Sequence, residues 1–411
     1  MKLYIKIISV FLSLVLLTGL CACESGPQST VNNNVSQNVN NQTQQTDKTQ
    51  DNEKDTQDNV DTSVNNDNEI KNLIIIIGDG MGFEHVAAGQ LFYDKQYQFT
   101  SWKYTSSNTD SLKKEDGTWG VITDSAAGGT ALATGVITVN SYVGRDRNGE
   151  DLETILDLGK AKGKSVGIVT SDTLFGATPA SFSAHANDRT ESVNITTSQI
   201  DSGVDFLLGL NQSAHYVGFE NQIKEKGYYH SYSIDDREAI LAADKAFLTV
   251  NIENGAKDET TLAESSRLAV DFLSKDEDGF VLMIEQAYID KYSHSNDFKG
   301  MVEKMDSLAQ TVDMLVEWIG DRNDTAIIIT ADHETGGLAI STERDSGQRF
   351  KCKKDYMFVT WSTTGHTDSK VGVYVYGFDP DFSKFETYKM HQVIKNRDVF
   401  VMMKDILENE E

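Results

Sequence analysis

Cysteine is nearly absent from the body of this 411-residue chain. Cys21 and Cys23 sit close to the N-terminus, and Cys352 is the only other one, so no disulfide can form within a folded domain. A large domain buries enough surface to do without such a staple. Cys352 therefore reads as an inert thiol. Positive charge is also scarce. Lys and Arg number 37 against 63 Asp and Glu, a formal net charge of -26. That excludes nucleic acid as a partner, because a nucleic-acid binder needs a basic patch to neutralise phosphates. The same field repels small phosphate-bearing molecules. A site for them would need concentrated positive charge of its own, which bound metal ions could supply. Long apolar runs are missing as well: the N-terminal run over residues 7–20 is short for a permanent membrane helix. There is no internal repeat. What remains, 39% hydrophobic and 24% charged residues, is the composition of a globular protein.

The N-terminus reads as an address. Lys2 and Lys6 precede the apolar run, which ends in Leu20-Cys21-Ala22-Cys23. This has the layout of a signal peptide over residues 1–22 followed by a lipid-bearing cysteine. Cys23 fits that role, with Ala22 before it and Leu20 three before it; bulky Leu20 fits poorly in front of Cys21. Residues 23–70 are rich in Asn, Gln, Thr, Ser and Asp and too poor in apolar groups to offset their ordering entropy. They are expected to be a flexible tether. The expected location is extracytoplasmic, anchored to the membrane through Cys23, with plain secretion as the alternative.

Residues 71–411 alternate strand-like and helical patterns. Strands are expected over 72–77, 119–123, 165–170, 280–284, 325–330 and 371–376, and helices over 258–273, 298–319 and 390–407. Continuous apolar runs mark strands buried on both faces. The alternation predicts an α/β sandwich with a mainly parallel central sheet and helices on both faces. The stretch 190–258 reads less regularly, as an excursion from that pattern.

Ligands in such folds bind beyond the carboxyl ends of the strands. There the sequence places Gly78-Asp79-Gly80-Met81-Gly82, Asp124-Ser125-Ala126-Ala127-Gly128-Gly129, Ala177-Thr178-Pro179-Ala180 with Arg189 downstream, Glu285 with Asp290, Lys291 and His294, Asp332-His333-Glu334-Thr335-Gly336-Gly337, and Gly365-His366-Thr367. Imidazole with carboxylate suits zinc. Asp290 and His294 are four apart and face one way on a helical turn, and Asp332-His333 could point at one metal. Two metals would clamp the attacking and leaving oxygens of an in-line displacement. The oxygen donors Asp79, Thr178 and Glu285 better suit magnesium. Ser125 starts a run of small residues that reads as a helix N-terminus, where anions are favoured, and a metal could activate its hydroxyl. Arg189 could grip two phosphate oxygens. Taken singly these are turns, helix starts and solvated charges; their joint occurrence at strand ends is what carries the reading. His85, His185, His215, His230 and His391 read as structural or surface residues, His185 least firmly.

The motifs Ile-Gly-Asp-Gly-Met-Gly, Thr-Asp-Ser-Ala-Ala-Gly-Gly-Thr-Ala, Ala-Thr-Pro-Ala, Thr-Ala-Asp-His-Glu-Thr-Gly-Gly and Thr-Gly-His-Thr together resemble the alkaline phosphatase family, from about residue 74 to residue 376. The resemblance implies a catalytic domain over 71–411 that hydrolyses phosphate monoesters with two Zn²⁺ and one Mg²⁺. It implies Ser125 as the nucleophile that becomes phosphoserine and Arg189 as the phosphate ligand. It assigns Asp290, His294 and His366 to the first zinc, Asp79, Asp332 and His333 to the second, and Asp79, Thr178 and Glu285 to magnesium. Lys291 matches a position that contacts phosphate through water in some members. Gly176 departs from the family, which often has Asp or His two before that threonine. The departure predicts that Lys291 lacks a carboxylate partner and that the magnesium site loses an outer support. The segment 337–365 looks like a reduced form of an insertion used at dimer interfaces, which leaves a homodimer open. Small monoesters are the expected substrates. A phosphodiesterase is the nearest rival within the superfamily; sulfatase and phosphomutase fit the motifs and leader less well. A solute-binding lipoprotein would share the leader and tether but needs no serine among metal ligands.

Overall fold

The computed structural model describes residues 69–113, 121–341, 347–352, 356–385 and 393–408. The expected leader, the lipid-bearing Cys23, nearly all of the tether and His391 lie outside the described residues. Among those described, no helix is long and apolar enough to cross a membrane.

A ten-stranded sheet organises the domain. Its strands in chain order are β1 (Asn72–Gly78), β2 (Lys103–Asn108), β3 (Ser165–Thr170), β4 (Phe206–Leu210), β5 (Tyr229–Ser231), β6 (Ala246–Val250), β7 (Phe280–Gln286), β8 (Thr325–Thr330), β9 (Val371–Tyr376) and β10 (Val393–Lys395). The order across the sheet is β10-β2-β9-β8-β1-β7-β3-β4-β6-β5. Pairing is parallel except where β9 meets β8 and β2. At the centre, β1 reads Asn-Leu-Ile-Ile-Ile-Ile-Gly and is buried along its whole length. Alternate residues of this β-branched run enter opposite cores: Ile74 and Ile76 one, Leu73, Ile75 and Ile77 the other. Each such side chain contributes roughly 2 kcal/mol by burial. A charge at Ile75 would leave one of these cores with an unpaired ion.

Helices cover both faces. The first core receives α1 (Phe83–Tyr93) and two longer helices, Leu262–Leu273 and Phe298–Ile319. The last of these buries Met301, Met305, Leu308, Val312, Leu315 and Ile319, one stripe at helical spacing, and Asp297 caps it by accepting from Gly300 N. The other core receives α2 (Ser125–Thr134), Ile155–Ala161 and Asn396–Glu408.

The expected strands at 165–170, 325–330 and 371–376 form as read, and those at 72–77 and 280–284 run slightly longer. Other expectations need correction. Around 119–123 the described strand is Val121–Ile122, which pairs with Asp110–Ser111 outside the central sheet. The stretch 190–258 is no excursion: it supplies β4, β5 and β6, which continue the parallel sheet. The helix expected from 258 starts at Leu262, because Thr261 and Glu264 form a reciprocal cap there. The helix expected from 390 starts at Asn396, after β10. Between 337 and 366 the strands Leu338–Ser341, Gln348–Lys351 and Tyr356–Trp361 form a small antiparallel sheet. Cys352 is half-buried there against the first core.

Candidate active site

The parallel register brings the key loops to one edge. Ile77 of β1 pairs with Thr330 of β8 on one side and with Glu285 of β7 on the other, and Glu285 also pairs with Thr170 of β3. Asp79, Asp332 and Glu285 therefore leave their strands side by side. Helix α2 starts against this edge. Asp124 caps it by accepting from Ala127 N at 3.0 Å. A Cβ on Gly128 would stand 2.7 Å from the Asp332 carbonyl oxygen, so the small residues of α2 let the Asp332 loop approach. Ser125, the first residue of α2, is thereby buried with its Oγ 3.2 Å from His333 Nε2.

Three imidazoles share one orientation. His366 places Nδ1 2.8 Å from the Thr123 carbonyl, and His294 places Nδ1 2.6 Å from the Thr364 carbonyl. Each Nδ1–H donates, so in the neutral ring the lone pair sits on Nε2. The two Nε2 atoms lie 3.2 Å apart, and Asp290 Oδ1 is 3.3 Å from that of His294 and 3.7 Å from that of His366. His333 stacks on His366, with ring centroids 3.6 Å apart. Its Nε2 also faces Asp332 Oδ2 at 3.3 Å and Asp79 Oδ1 at 3.6 Å. Those two carboxylate oxygens are buried with no hydrogen-bond partner.

The charges tell the same story. Burial, then the charges of Asp332, Asp290 and Glu285, push the Asp79 carboxyl well above its usual range. Burial, then Asp290, pushes Asp332 up to about 7. Burial, then Asp172, pushes Glu285 up to about 8. Burial would raise Asp290 too, but the His294 hydrogen bond, the His333 ring and the Thr335 hydroxyl hold it below the carboxylate range. His294 is raised to about 9 by its bond to Asp290. Burial, then neighbouring His366, pushes His333 well below the usual imidazole range. Buried negative charge without a counter-ion costs several kcal/mol per group. The orphaned oxygens and free Nε2 atoms thus fit divalent cations, in two overlapping groups: Asp290 with His294 and His366, and Asp79 with Asp290 and His333. Asp332 adds its Oδ2 to the second.

Of the remaining expected residues, Thr178 is buried in the short helix Ala177–Ser181, packed on Gly129 of α2. Arg189 lies in a turn rather than on a helix. Its Nη1 meets Asp124 Oδ2 at 3.3 Å, and the same oxygen accepts from Ser141 N at 3.0 Å. The helix cap therefore also aims the guanidinium.

The expected loss of a carboxylate partner for Lys291 does not occur. Lys291 Nζ lies 2.6 Å from Asp172 Oδ1 and 4.5 Å from the centre of the Tyr288 ring. Asp172 comes from the loop just past β3, four residues before Gly176. A Cβ at Gly176 would stand 2.8 Å from Asp172 Oδ2, so the glycine makes room for the carboxylate that takes its place. Burial would lower the Lys291 ammonium, but Asp172 overcomes it and keeps the charge.

Sequence reasoning missed Asp172, Thr170 and Thr335. Thr170 donates to Glu285 Oε2 and Thr335 to Asp290. The position of Asp172 two past a buried strand was a usable signal; hydroxyl contacts across strands were not. The histidines read as structural each have a hydrogen-bond partner within the fold where described. His85 bonds Ser293 Oγ, His185 the Leu152 carbonyl, His215 the Thr196 hydroxyl and His230 the Phe247 carbonyl.

A sequence model of the family described as alkaline phosphatase matches residues 70–209 and 240–356. Alkaline phosphatase 3 of Bacillus subtilis is 32% identical over 296 residues, 68% of this chain and 64% of that protein. Alkaline phosphatase 4 of the same organism is 32% identical over 290 residues, 66% of this chain and 63% of that protein. The chain thus spans somewhat under two thirds of these relatives. Among solved structures, alkaline phosphatase from the Antarctic bacterium TAB5 superposes with a TM-score of 0.70 at 24% identity, covering 83% of this chain and 98% of that one. A mutant of that enzyme is described with Mg bound in its M3 site. At this identity the likeness speaks to the fold alone.

Proposed function

The chain belongs to the alkaline phosphatase family, and from that premise we propose that it hydrolyses small phosphate monoesters through a phosphoserine on Ser125. The observation that carries the reading is the Ser125 hydroxyl, 3.2 Å from His333 Nε2, which itself faces the buried Asp79 and Asp332 oxygens that lack a hydrogen-bond partner. Asp290, His294 and His366 would hold one zinc, and Asp79, Asp332 and His333 the other. Asp79, Thr178 and Glu285 would hold magnesium, the ion named for the TAB5 mutant. Bound there, the ions supply positive charge for the phosphate, a lowered pKa for the serine hydroxyl or water, and stabilisation of the leaving oxygen.

The chain's own residues do the rest. Asp124 aims Arg189 so that its guanidinium can pair with two phosphate oxygens. The first turn of α2 offers backbone N–H groups to the anion. Ser125 Oγ attacks phosphorus, the ester P–O bond breaks, and the alcohol departs with the proton. Water then attacks the phosphoserine, which releases phosphate and restores the hydroxyl. Lys291, held by Asp172, would reach the phosphate through water. Export and a lipid anchor on Cys23 belong to the same proposal. They rest on Lys2, Lys6, the apolar run and Leu20-Cys21-Ala22-Cys23.

The test is turnover of a chromogenic phosphate monoester at mildly alkaline pH, before and after chelation. Turnover lost on chelation and restored by zinc and magnesium supports the reading. A zinc-loaded, folded protein that cleaves only diesters, or nothing, overturns it.

A further inference from the structure

Each metal-facing imidazole needs a partner on Nδ1, and one of the three partners differs in kind. Thr123 and Thr364 serve His366 and His294 through backbone carbonyls, which any residue would supply. His333 is served by a side chain: its Nδ1 lies 3.3 Å from the hydroxyl of Thr335. The same hydroxyl oxygen lies 2.5 Å from Asp290 Oδ1. Thr335 is fully buried, and its backbone is fixed as well. Its N–H donates to the Gly80 carbonyl at 3.1 Å, and it pairs with His366 in the short ladder of Glu334–Thr335 and His366–Thr367. One residue thus touches Asp290, which the two ligand groups share, and His333 of the second.

We propose that the Thr335 hydroxyl is a positioning group that ties the two zinc sites together by orienting a ligand of each. The inference rests on the metal reading above. Its logic is proton counting. An ionised carboxylate can only accept, so the hydroxyl donates to Asp290. Its remaining lone pairs then accept from His333 Nδ1–H. That fixes the tautomer of His333 and leaves Nε2 free toward Ser125, Asp332 and Asp79. Without the hydroxyl, the other tautomer would put a proton on Nε2, where the metal must bind. Asp290 would lose a constraint at the same time.

The decisive variants are Thr335→Val, which keeps the shape and removes the hydroxyl, and Thr335→Ser, which keeps the hydroxyl. Zinc affinity and stoichiometry of the chelated full-length chain are read by competition with a chromophoric chelator, beside steady-state kinetics. Thr335→Val is expected to weaken zinc at both sites by roughly 10–100-fold and to lower kcat more than it raises KM. Thr335→Ser is expected to restore both to within a few-fold. Should Thr335→Val fail to fold, Thr335→Ala carries the same expectation. Unchanged zinc binding in the hydroxyl-free variant overturns the proposal, as does weakening at one site only. A serine variant as impaired as valine also overturns it, because the role would then be steric. If the wild-type chain binds no zinc, the metal reading itself fails and takes this inference with it.

Discussion

The Asp172 carboxylate meets the Lys291 ammonium at 2.6 Å, while a Cβ on Gly176 would come within 2.8 Å of the other Asp172 oxygen. A charge pair that local sequence had put in doubt is rebuilt from a residue four positions upstream. Glycine at 176 is the condition for it. Asp172→Asn should release Lys291 toward the phosphate and leave an uncompensated positive charge beside Glu285. The expected result is a lower inhibition constant for inorganic phosphate and magnesium affinity weaker by roughly 10–100-fold. Gly176→Ala should move both quantities the same way by a smaller factor. Phosphate inhibition that is unchanged or weaker in Asp172→Asn would contradict this.

Arg189 is about one third exposed and is aimed by Asp124, which also caps α2. Charge-assisted hydrogen bonds of this type are worth roughly 1.5–3 kcal/mol. Arg189→Ala should therefore raise KM for a small monoester about tenfold or more. Arg189→Lys should recover little, because a point charge cannot reproduce the planar fork. Asp124→Ala should raise KM too and in addition lower stability by about 1 kcal/mol through the lost cap. Initial-rate kinetics and thermal melts separate the two effects.

The metal-free protein should lose stability as pH rises. Glu285 and Asp332 hold protons up to about 8 and about 7 in the folded chain, whereas an unfolded chain releases them near 4. His294 holds its proton to about 9 against about 6.5 unfolded. Above about pH 6.5, where the lowered His85 and His333 are neutral in both states, the native state binds more protons than the unfolded one, so stability falls up to about pH 9. Zinc and magnesium, bound as proposed, would displace the same protons. Their binding should release protons into solution and flatten the slope. Melting temperatures of chelated and metal-loaded protein across that range check both statements; a chelated protein that gains stability with pH would oppose them.

An acidic body whose cleft the proposed metal ions would make locally positive predicts an unusual salt effect. With a net charge of -26, the far field repels a phosphate monoester until salt screens it. Turnover per unit substrate, kcat/KM, should rise between about 10 and 100 mM added salt, where the Debye length shrinks from ~30 to ~10 Å. A steep fall over that range would mean that the cleft's own field reaches well beyond the surface.

Much of this was legible in the chain. Strands buried on both faces, such as Ser165–Thr170 and Thr325–Thr330, announce themselves as unbroken apolar runs, and the loops that follow them hold the reactive groups. The less legible strands were polar or peripheral. Lys103–Asn108 reads Lys-Tyr-Thr-Ser-Ser-Asn and has no apolar run to betray it. Phe206–Leu210 and Ala246–Val250 are short and separated by three short helices and β5, so their shared sheet emerges only in three dimensions. Within the site, ligand types follow from residue chemistry, but partners that arrive from a neighbouring loop do not. Asp172 reaches Lys291 from another strand end, and Thr335 reaches Asp290 across a long stretch of chain. Each depends on register and on space left by another residue.

The central claim is that Ser125 carries the phosphoryl group. The direct measurement is a rapid acid quench of the metal-loaded enzyme incubated with a phosphate monoester at mildly acidic pH, followed by peptide mass spectrometry. The account predicts phosphate on the peptide containing Ser125, absent from Ser125→Ala and absent after chelation. A wild-type enzyme that turns over monoester under the same conditions and carries no phosphate on Ser125 in quenches taken throughout turnover would contradict it.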